Sequence, residues 1–210
     1  FVHGAMCMSV SGRCVISDYL TGREAHRGAC TQPCRWQYQI IEPHRPDKPM
    51  TVEETAEGTY LFNAQDMNMI KHVAALAQAG VSSFKIEGRA KAAYYIAVTA
   101  AAYRAAVDGY VASGFSAAYV PDRWIVEELS KVSHRPYGTG FYFGKPHQDT
   151  VAGGYVRRFA VVGVVEGYRD GMLQIEQRNR FFRGDTLDVL EPRGKPFLLP
   201  VKALFDGEGN

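Results

Sequence analysis

Thr59-Tyr60-Leu61-Phe62, then Asn63-Ala64-Gln65-Asp66, then Met67, Ile70, Val73, Ala74 and Ala77, and finally Val81-Ser82-Ser83-Phe84-Lys85-Ile86 decide the fold. The first is a short apolar strand, the second offers a helix N-cap, the third is one helix face that Gly80 stops, and the fourth is a second strand. Glu87-Gly88-Arg89 follows as a turn, and Ala90 to about Val111 as a long helix rich in Ala and Tyr. Strand, helix, strand and helix joined by short links predict a right-handed parallel unit. One parallel pair cannot cover both faces of a sheet, so the unit is expected to close an α/β barrel or an open α/β sheet.

Outward from this unit, Phe1-Val2-His3-Gly4-Ala5-Met6 reads as the end of a buried strand running into a glycine bend. At the other end Leu198 to Phe205 is extended and Asp206-Gly207-Glu208-Gly209 is a hairpin turn. Both ends therefore predict neighbouring strands outside the sequence, and the chain reads as a fragment. With 46% hydrophobic residues, 22% charged and a net charge of +2, the composition is that of a globular protein rather than a disordered one. No apolar run approaches a membrane span, and the near-neutral balance leaves nucleic-acid binding to local patches.

All four cysteines fall between Cys7 and Cys34, spaced Cys7-x6-Cys14-x15-Cys30-x3-Cys34, with Arg13, Arg23, Arg27 and Arg35 beside or between them. A disulfide framework needs an oxidising compartment and a chain too short for its own core, and neither is indicated. A structural zinc fits half the pattern, because only Cys30-x3-Cys34 resembles a knuckle. An iron-sulfur cluster accepts irregular spacing, and arginines nearby would offset its charge. Free or redox-active thiols are the remaining reading.

In a barrel, chemistry belongs at the carboxyl ends of the strands. His3-Gly4, Asn63-Ala64-Gln65-Asp66 and Lys85-Ile86-Glu87-Gly88-Arg89 meet that description. Alternation sends Lys85 and Glu87 to one side, so an inward pair is expected, serving either as a site or as a structural ion pair. Further on, Arg123 to about Val132 forms a short helix with Trp124, Ile125, Leu129 and Val132 on its apolar side. Ser133-His134-Arg135-Pro136-Tyr137-Gly138-Thr139-Gly140-Phe141 is a linker whose glycines do not match a dinucleotide fingerprint. His134 and Arg135 either face the site or lie on the surface. From Tyr155 the pattern is β, with strands at Ala160 to Tyr168, Met172 to Gln177, Thr186 to Leu190 and Leu198 to Phe205. Arg178-Asn179-Arg180-Phe181-Phe182-Arg183 mixes cations with aromatics, which suits either RNA contact or a solvated turn over two core phenylalanines.

Phe1-Val2-His3-Gly4-Ala5-Met6-Cys7, Ser11-Gly12-Arg13-Cys14, Arg27-Gly28-Ala29-Cys30, Cys34-Arg35-Trp36 and Lys85-Ile86-Glu87-Gly88-Arg89 together resemble the collagenase-like proteins of peptidase family 32 of unknown catalytic type. The wording from Cys30 to Trp36 is most similar to the branch that hydroxylates tRNA, forming 5-hydroxyuridine at the wobble position. That resemblance implies an α/β plus β chain: the C-terminal portion of a TIM-like (β/α) barrel over 1–120 with the four-cysteine loop, a short helix and linker over 121–153, and a small, incomplete antiparallel β-barrel over 154–210. It implies a 4Fe-4S cluster on Cys7, Cys14, Cys30 and Cys34, with zinc as the alternative, and prephenate as co-substrate and oxygen donor. The acidic residue that usually precedes the first motif falls before Phe1.

With this resemblance, Glu87, Lys85 and His3 are the candidate catalytic residues, Glu87 as the group that takes the proton leaving C5. Arg13, Arg27, Arg35, Trp36 and Arg89 are the candidate substrate contacts. The partners implied are tRNA and an accessory or paralogous protein, with no membrane and no DNA, in the cytoplasm. Rival functions are a collagenase-like peptidase, a 23S rRNA cytidine hydroxylase of the same family, and a metal-stabilised RNA-binding module. For a peptidase the sequence offers neither a His-Glu-x-x-His zinc motif nor a Gly-x-Ser-x-Gly elbow.

Overall fold

A computed structural model describes residues 1–6, 14–33, 36, 39–40, 43–44, 46–47, 50–51, 65–89, 91–144, 155–192 and 194–205. Cys7, Arg13, Cys34 and Arg35 lie outside these residues, as does the strand expected at Thr59-Tyr60-Leu61-Phe62. The described chain builds β1 (His3–Ala5), α1 (Ile16–Thr21), β2 (Gln39–Ile40), β3 (Met50–Thr51), β4 (Asp66–Asn68), α2 (Val73–Gln78), α3 (Ala93–Ala112) and α4 (Arg123–Glu128). After these come β5 (Tyr137–Gly138), β6 (Gly163–Arg169), β7 (Met172–Gln177), β8 (Thr186–Val189) and β9 (Phe197–Pro200).

The central sheet has the order β1-β4-β5, antiparallel between β1 and β4 and parallel between β4 and β5. On the other side of β1, His3 bridges Ile86 in parallel, through Val2 N–H to Lys85 O at 2.9 Å and Glu87 N–H to His3 O at 2.8 Å. Two expectations change here. Asp66 is not a helix cap, because Asp66 and Met67 are strand residues paired with β1 on one side and β5 on the other. Of the strand expected at Val81–Ile86, only the end is in register with β1. The strand that leads into α2, β4, therefore runs opposite to the segment after the helix, while the strand expected at Thr59–Phe62 as its parallel partner lies outside the described residues. Pairing on both edges outweighs a helical period that Met67 shares by coincidence.

Helix entry moves two residues along: Asn68 Oδ1 accepts the Ile70 N–H at 3.1 Å and opens the turn Ile70–His72 that leads into α2. Exit is where the glycine predicts it. Val81 N–H reaches Leu76 O and Gly80 N–H reaches Ala77 O, closing a Schellman motif, and Phe115 and Gly114 repeat it at the end of α3. Along α3, Tyr95, Val98, Ala102, Ala106 and Tyr110 are buried at intervals of three to four residues, with Tyr103 beside them. Ala102, Tyr103, Ala106 and Tyr110 pack on Val73, Ala74 and Leu76 of α2, on Ile125 and Leu129, and on Val2, Met67, Met69 and Ile70 beneath the sheet. Val2, Met69, Ile70, Val73 and Leu129 are at most 1% exposed, so this is one continuous core.

Gly4 carries the tightest backbone approach in the sheet. Its φ is +121°, and a Cβ there would stand 2.3 Å from Glu87 O. Gly4→Ala is expected to cost at least about 2 kcal/mol, since strain and clash both fall on backbone. A urea midpoint equal to wild type would show that the approach is not needed.

The C-terminal strands form two hairpins, β6 with β7 and β8 with β9. Asp170 and Gly171, both at positive φ, turn the first hairpin as the Asp-Gly dipeptide predicts. Lone two-stranded sheets are marginal in water. The second is anchored on the helical part by Leu190, packed against Tyr95, Val98 and Val132, and by Lys131, which pairs with Asp188 and Glu128. Among the described residues no helix is long and apolar enough to cross a membrane.

Candidate functional site at one edge of the central sheet

Four chain segments meet at one edge. β1 ends at Ala5 opposite Asp66, Asp66 lies beside Tyr137 at the start of β5, and Glu87 follows Ile86 on the far side of β1. The three stretches expected to carry chemistry are thus neighbours, although β4 contributes its first residue rather than its last. Met6, leaving β1 at this edge, leads into the cysteine loop.

Asp66 organises the buried charge. Its side chain is 0% exposed, and Oδ1 accepts Arg135 Nε at 2.9 Å and Nη2 at 2.7 Å, while Oδ2 accepts the Arg135 backbone N–H at 3.1 Å. Lys91 Nζ is 3.9 Å from Oδ2, donates to Ser133 O at 3.2 Å, and lies over the rings of Tyr95 and Tyr155 at 4.9 and 4.6 Å. One carboxylate thus faces two cations, leaving the cluster net positive. His134 stacks flat on Tyr137 with centroids 4.0 Å apart, and its Nδ1 donates to Arg135 O at 2.6 Å, which makes Nε2 the unprotonated nitrogen.

His3 lies within this cluster, 0% exposed and ringed by Tyr137, Tyr103 and Tyr95 at 5.4, 5.5 and 6.0 Å. Both of its ring nitrogens, the Tyr95 hydroxyl and His134 Nε2 have no hydrogen-bond partner among the described residues. Unpaired buried groups cost about 1–3 kcal/mol each, so the gathering of all of them here marks a place suited to a small polar ligand. Burial holds His3 down to a pKa of about 4, against the pull of Asp66, so it is a neutral base at physiological pH. Burial also raises the tyrosine hydroxyls of Tyr95, Tyr103 and Tyr137, which stay protonated as donors.

A pH dependence follows with a definite sign. The unfolded chain protonates His3 near its ordinary 6.5 and the native chain only near 4, so the unfolded state gains protons first as pH falls. His3 therefore removes about 3 kcal/mol of stability between pH 6.5 and 4 and nothing above that window. Urea unfolding of wild type against His3→Gln across this range checks it; parallel pH profiles would rule it out.

Other expected site residues distribute unevenly. Glu87 is 29% exposed at its side chain, accepts the Arg89 N–H at Oε1, and stands 3.9 Å from Lys85 Nζ. Lys85 is not directed inward: its side chain is 70% exposed, so the pair is a solvated ion pair. Arg89 reaches the cysteine loop, its Nη1 lying 2.4 Å from where a Cβ on Gly28 would stand. Arg27 is exposed and pairs with Glu24 at 2.8 Å, and Trp36 is 42% exposed. Cys14 and Cys30 are free thiols, half-buried, and Cys30 Sγ accepts the Gln32 N–H at 3.3 Å. Fully buried Ser17 in α1 bonds Thr31 twice, its Oγ lying 3.1 Å from Thr31 Oγ1 and accepting the Thr31 N–H at 3.0 Å, tying the segment after Cys14 to the residue after Cys30.

Sequence reasoning missed Lys91 and Tyr95 as site residues, and reached Asp66 only as the end of the stretch Asn63-Ala64-Gln65-Asp66. The available signal was an Asp placed where a strand could begin and an Arg after a lone His, 69 positions apart.

Residues 1–152 match peptidase family U32 and residues 157–210 match the peptidase family U32 C-terminal domain. The chain is similar to tRNA hydroxylation protein P1 of Bacillus subtilis, 31% identical over all of this chain and 50% of the relative. It is 35% identical to tRNA hydroxylation protein P of Escherichia coli, over 92% of this chain and 51% of the relative. A collagenase of Porphyromonas gingivalis is 34% identical over 69% of this chain and 33% of its own length. No solved structure matches. The chain spans about half the length of these tRNA hydroxylation proteins, and with both halves of its own length matched it belongs to peptidase family U32.

Proposed function

We propose that the protein carrying this chain is an RNA-modifying enzyme that hydroxylates the wobble uridine of tRNA at C5. The observation that carries this reading is the meeting of the cysteine loop, Glu87, Arg89 and the His3–Asp66–Arg135 cluster at one sheet edge, in a chain whose relatives include tRNA hydroxylation proteins. The reading includes the TIM-like barrel portion and the β-barrel as the architecture around that edge.

Cys7, Cys14, Cys30 and Cys34 would hold a 4Fe-4S cluster. The described part of the loop fits a thiolate-ligated centre, because Cys30 is in no disulfide and its sulfur accepts a backbone N–H, as iron-sulfur ligands commonly do. Zinc would use the same four sulfurs. Such a cluster, when bound, would supply electron transfer and activation of the oxygen donor, for which prephenate is the proposed co-substrate. This chain's own groups do the rest: Arg89 sits beside the loop to hold a carboxylate or phosphate, exposed Trp36 stacks on an unpaired base, and Glu87 accepts the proton leaving C5. His3, neutral and buried, orients or accepts a hydrogen bond from a small ligand.

The collagenase relative keeps a peptidase as the second reading. Among the described residues neither Cys14 nor Cys30 hydrogen-bonds a histidine, which a cysteine nucleophile would use. Comparing modified nucleosides in cells with and without the full gene tests the proposal. Loss of 5-hydroxyuridine-derived nucleosides in the deletion strain is expected. An unchanged nucleoside profile together with lost gelatin cleavage would favour the peptidase.

A further inference from the structure

Five arginines of the C-terminal part fall on two segments that the fold brings side by side. Arg178 and Asn179 donate their N–H groups to Val162 O at 2.9 and 3.2 Å, and Asn179 Nδ2 donates to Val161 O at 2.7 Å. The turn over 178–183 therefore begins beside the extended segment over 157–162. Arg157, Arg158, Arg178, Arg180 and Arg183 are all exposed. Arg178 is offset by Glu176 at 2.7 Å, whereas Arg158, Arg180 and Arg183 form no ion pair among the described residues. Residues 155–205 hold nine Lys and Arg against six Asp and Glu, a balance of +3 where the whole chain has +2, so the positive charge is concentrated here.

Phe159 and Phe182 stand in the same two segments, 53% and 60% exposed. The exposure of Phe182 excludes the reading in which both phenylalanines of the 178–183 turn are core. Guanidiniums for phosphates and open aromatic faces for bases are the pairing that single-stranded nucleic acid uses. This surface also runs into the candidate site. Val156 and His134 exchange backbone hydrogen bonds at 2.7 and 3.3 Å, Tyr155 covers Lys91, and Arg157 Nε donates to Ser133 Oγ at 3.3 Å.

We propose that Arg158, Arg180 and Arg183 with Phe182 form a platform that grips the unpaired loop of the RNA substrate and leads it toward the His3–Asp66 edge. This rests on the RNA-modifying reading above and adds to it the surface that holds the RNA. Phosphate contacts give affinity and salt dependence, and Phe182 adds stacking that tolerates any base.

The test is fluorescence anisotropy of a labelled anticodon stem-loop with the intact protein, across a salt series. The triple variant Arg158→Ala, Arg180→Ala, Arg183→Ala is expected to bind about tenfold or more weakly near 0.1 M salt, with the log–log salt slope reduced by roughly two. Phe182→Ala, which removes no charge, is expected to weaken binding roughly fivefold or more at an unchanged slope. Arg104→Ala with Arg123→Ala, on α3 and α4, is the charge-removing control and should bind as wild type. Wild-type affinity and slope in the triple variant, while the protein still hydroxylates RNA, would overturn the platform and leave the enzyme reading standing. No RNA binding by wild type at any salt would overturn both. Displacement of the RNA by denatured collagen but not by competitor RNA would assign the surface to a protein partner instead.

Discussion

Asp66→Ala is expected to destabilise the chain by about 3–5 kcal/mol, because it removes the carboxylate that pairs with the buried guanidinium of Arg135 and faces Lys91. Arg135 is 2% exposed and cannot turn to water without opening the edge of β4 and β5. Arg135→Met should cost a similar amount by leaving Asp66 charged and buried. The double variant Asp66→Leu, Arg135→Met should cost clearly less than the two together, since neither charge is then left alone. Urea unfolding of the four proteins measures the coupling. A cost below about 1 kcal/mol for Asp66→Ala would mean that the ion pair does not hold this edge.

Loss of hydroxylation is the other large effect, and it rests on the proposed function. Cys14→Ser and Cys30→Ser, restored to deletion cells, are expected to give no detectable hydroxylated nucleoside, because each removes one of four sulfurs. Glu87→Gln is expected to lower the rate by about a hundredfold or more while keeping the fold, since a half-exposed amide replaces an acid without burying a new group. Nucleosides from digested tRNA report both. Full hydroxylation with Cys14→Ser would remove that thiol from the site, and full hydroxylation with Glu87→Gln would remove the proton acceptor.

Local chemistry in the sequence was legible where one segment decides its own shape. Gly80 and Gly114 end their helices, the 3.6-residue period of α3 buries Tyr95 through Tyr110, and Asp170-Gly171 turns its hairpin. The site was legible only in outline. His3 and Glu87 come to one edge as strand-end reasoning expected, but Asp66 read as a helix cap because its strand is three residues long and its partner lies 69 positions away. Alternation placed Lys85 and Glu87 on one side without telling which side faced water. His134 read more readily as a surface linker residue, whereas it is buried, stacked on Tyr137 and paired with Val156. Cys7, Cys34, Arg13, Arg35 and the strand expected at Thr59–Phe62 fall outside the described residues.

The proposed enzymology is drawn from a centre that Cys7, Cys14, Cys30 and Cys34 would hold together in the loop that Arg89 reaches at Gly28. Its most direct measurement is iron and acid-labile sulfide per chain in protein purified without oxygen, wild type beside Cys30→Ser. The expected result is a brown wild-type protein with about four irons and four sulfides per chain, bleached by Cys30→Ser. A colourless protein holding one zinc, or a disulfide between Cys14 and Cys30, would contradict it.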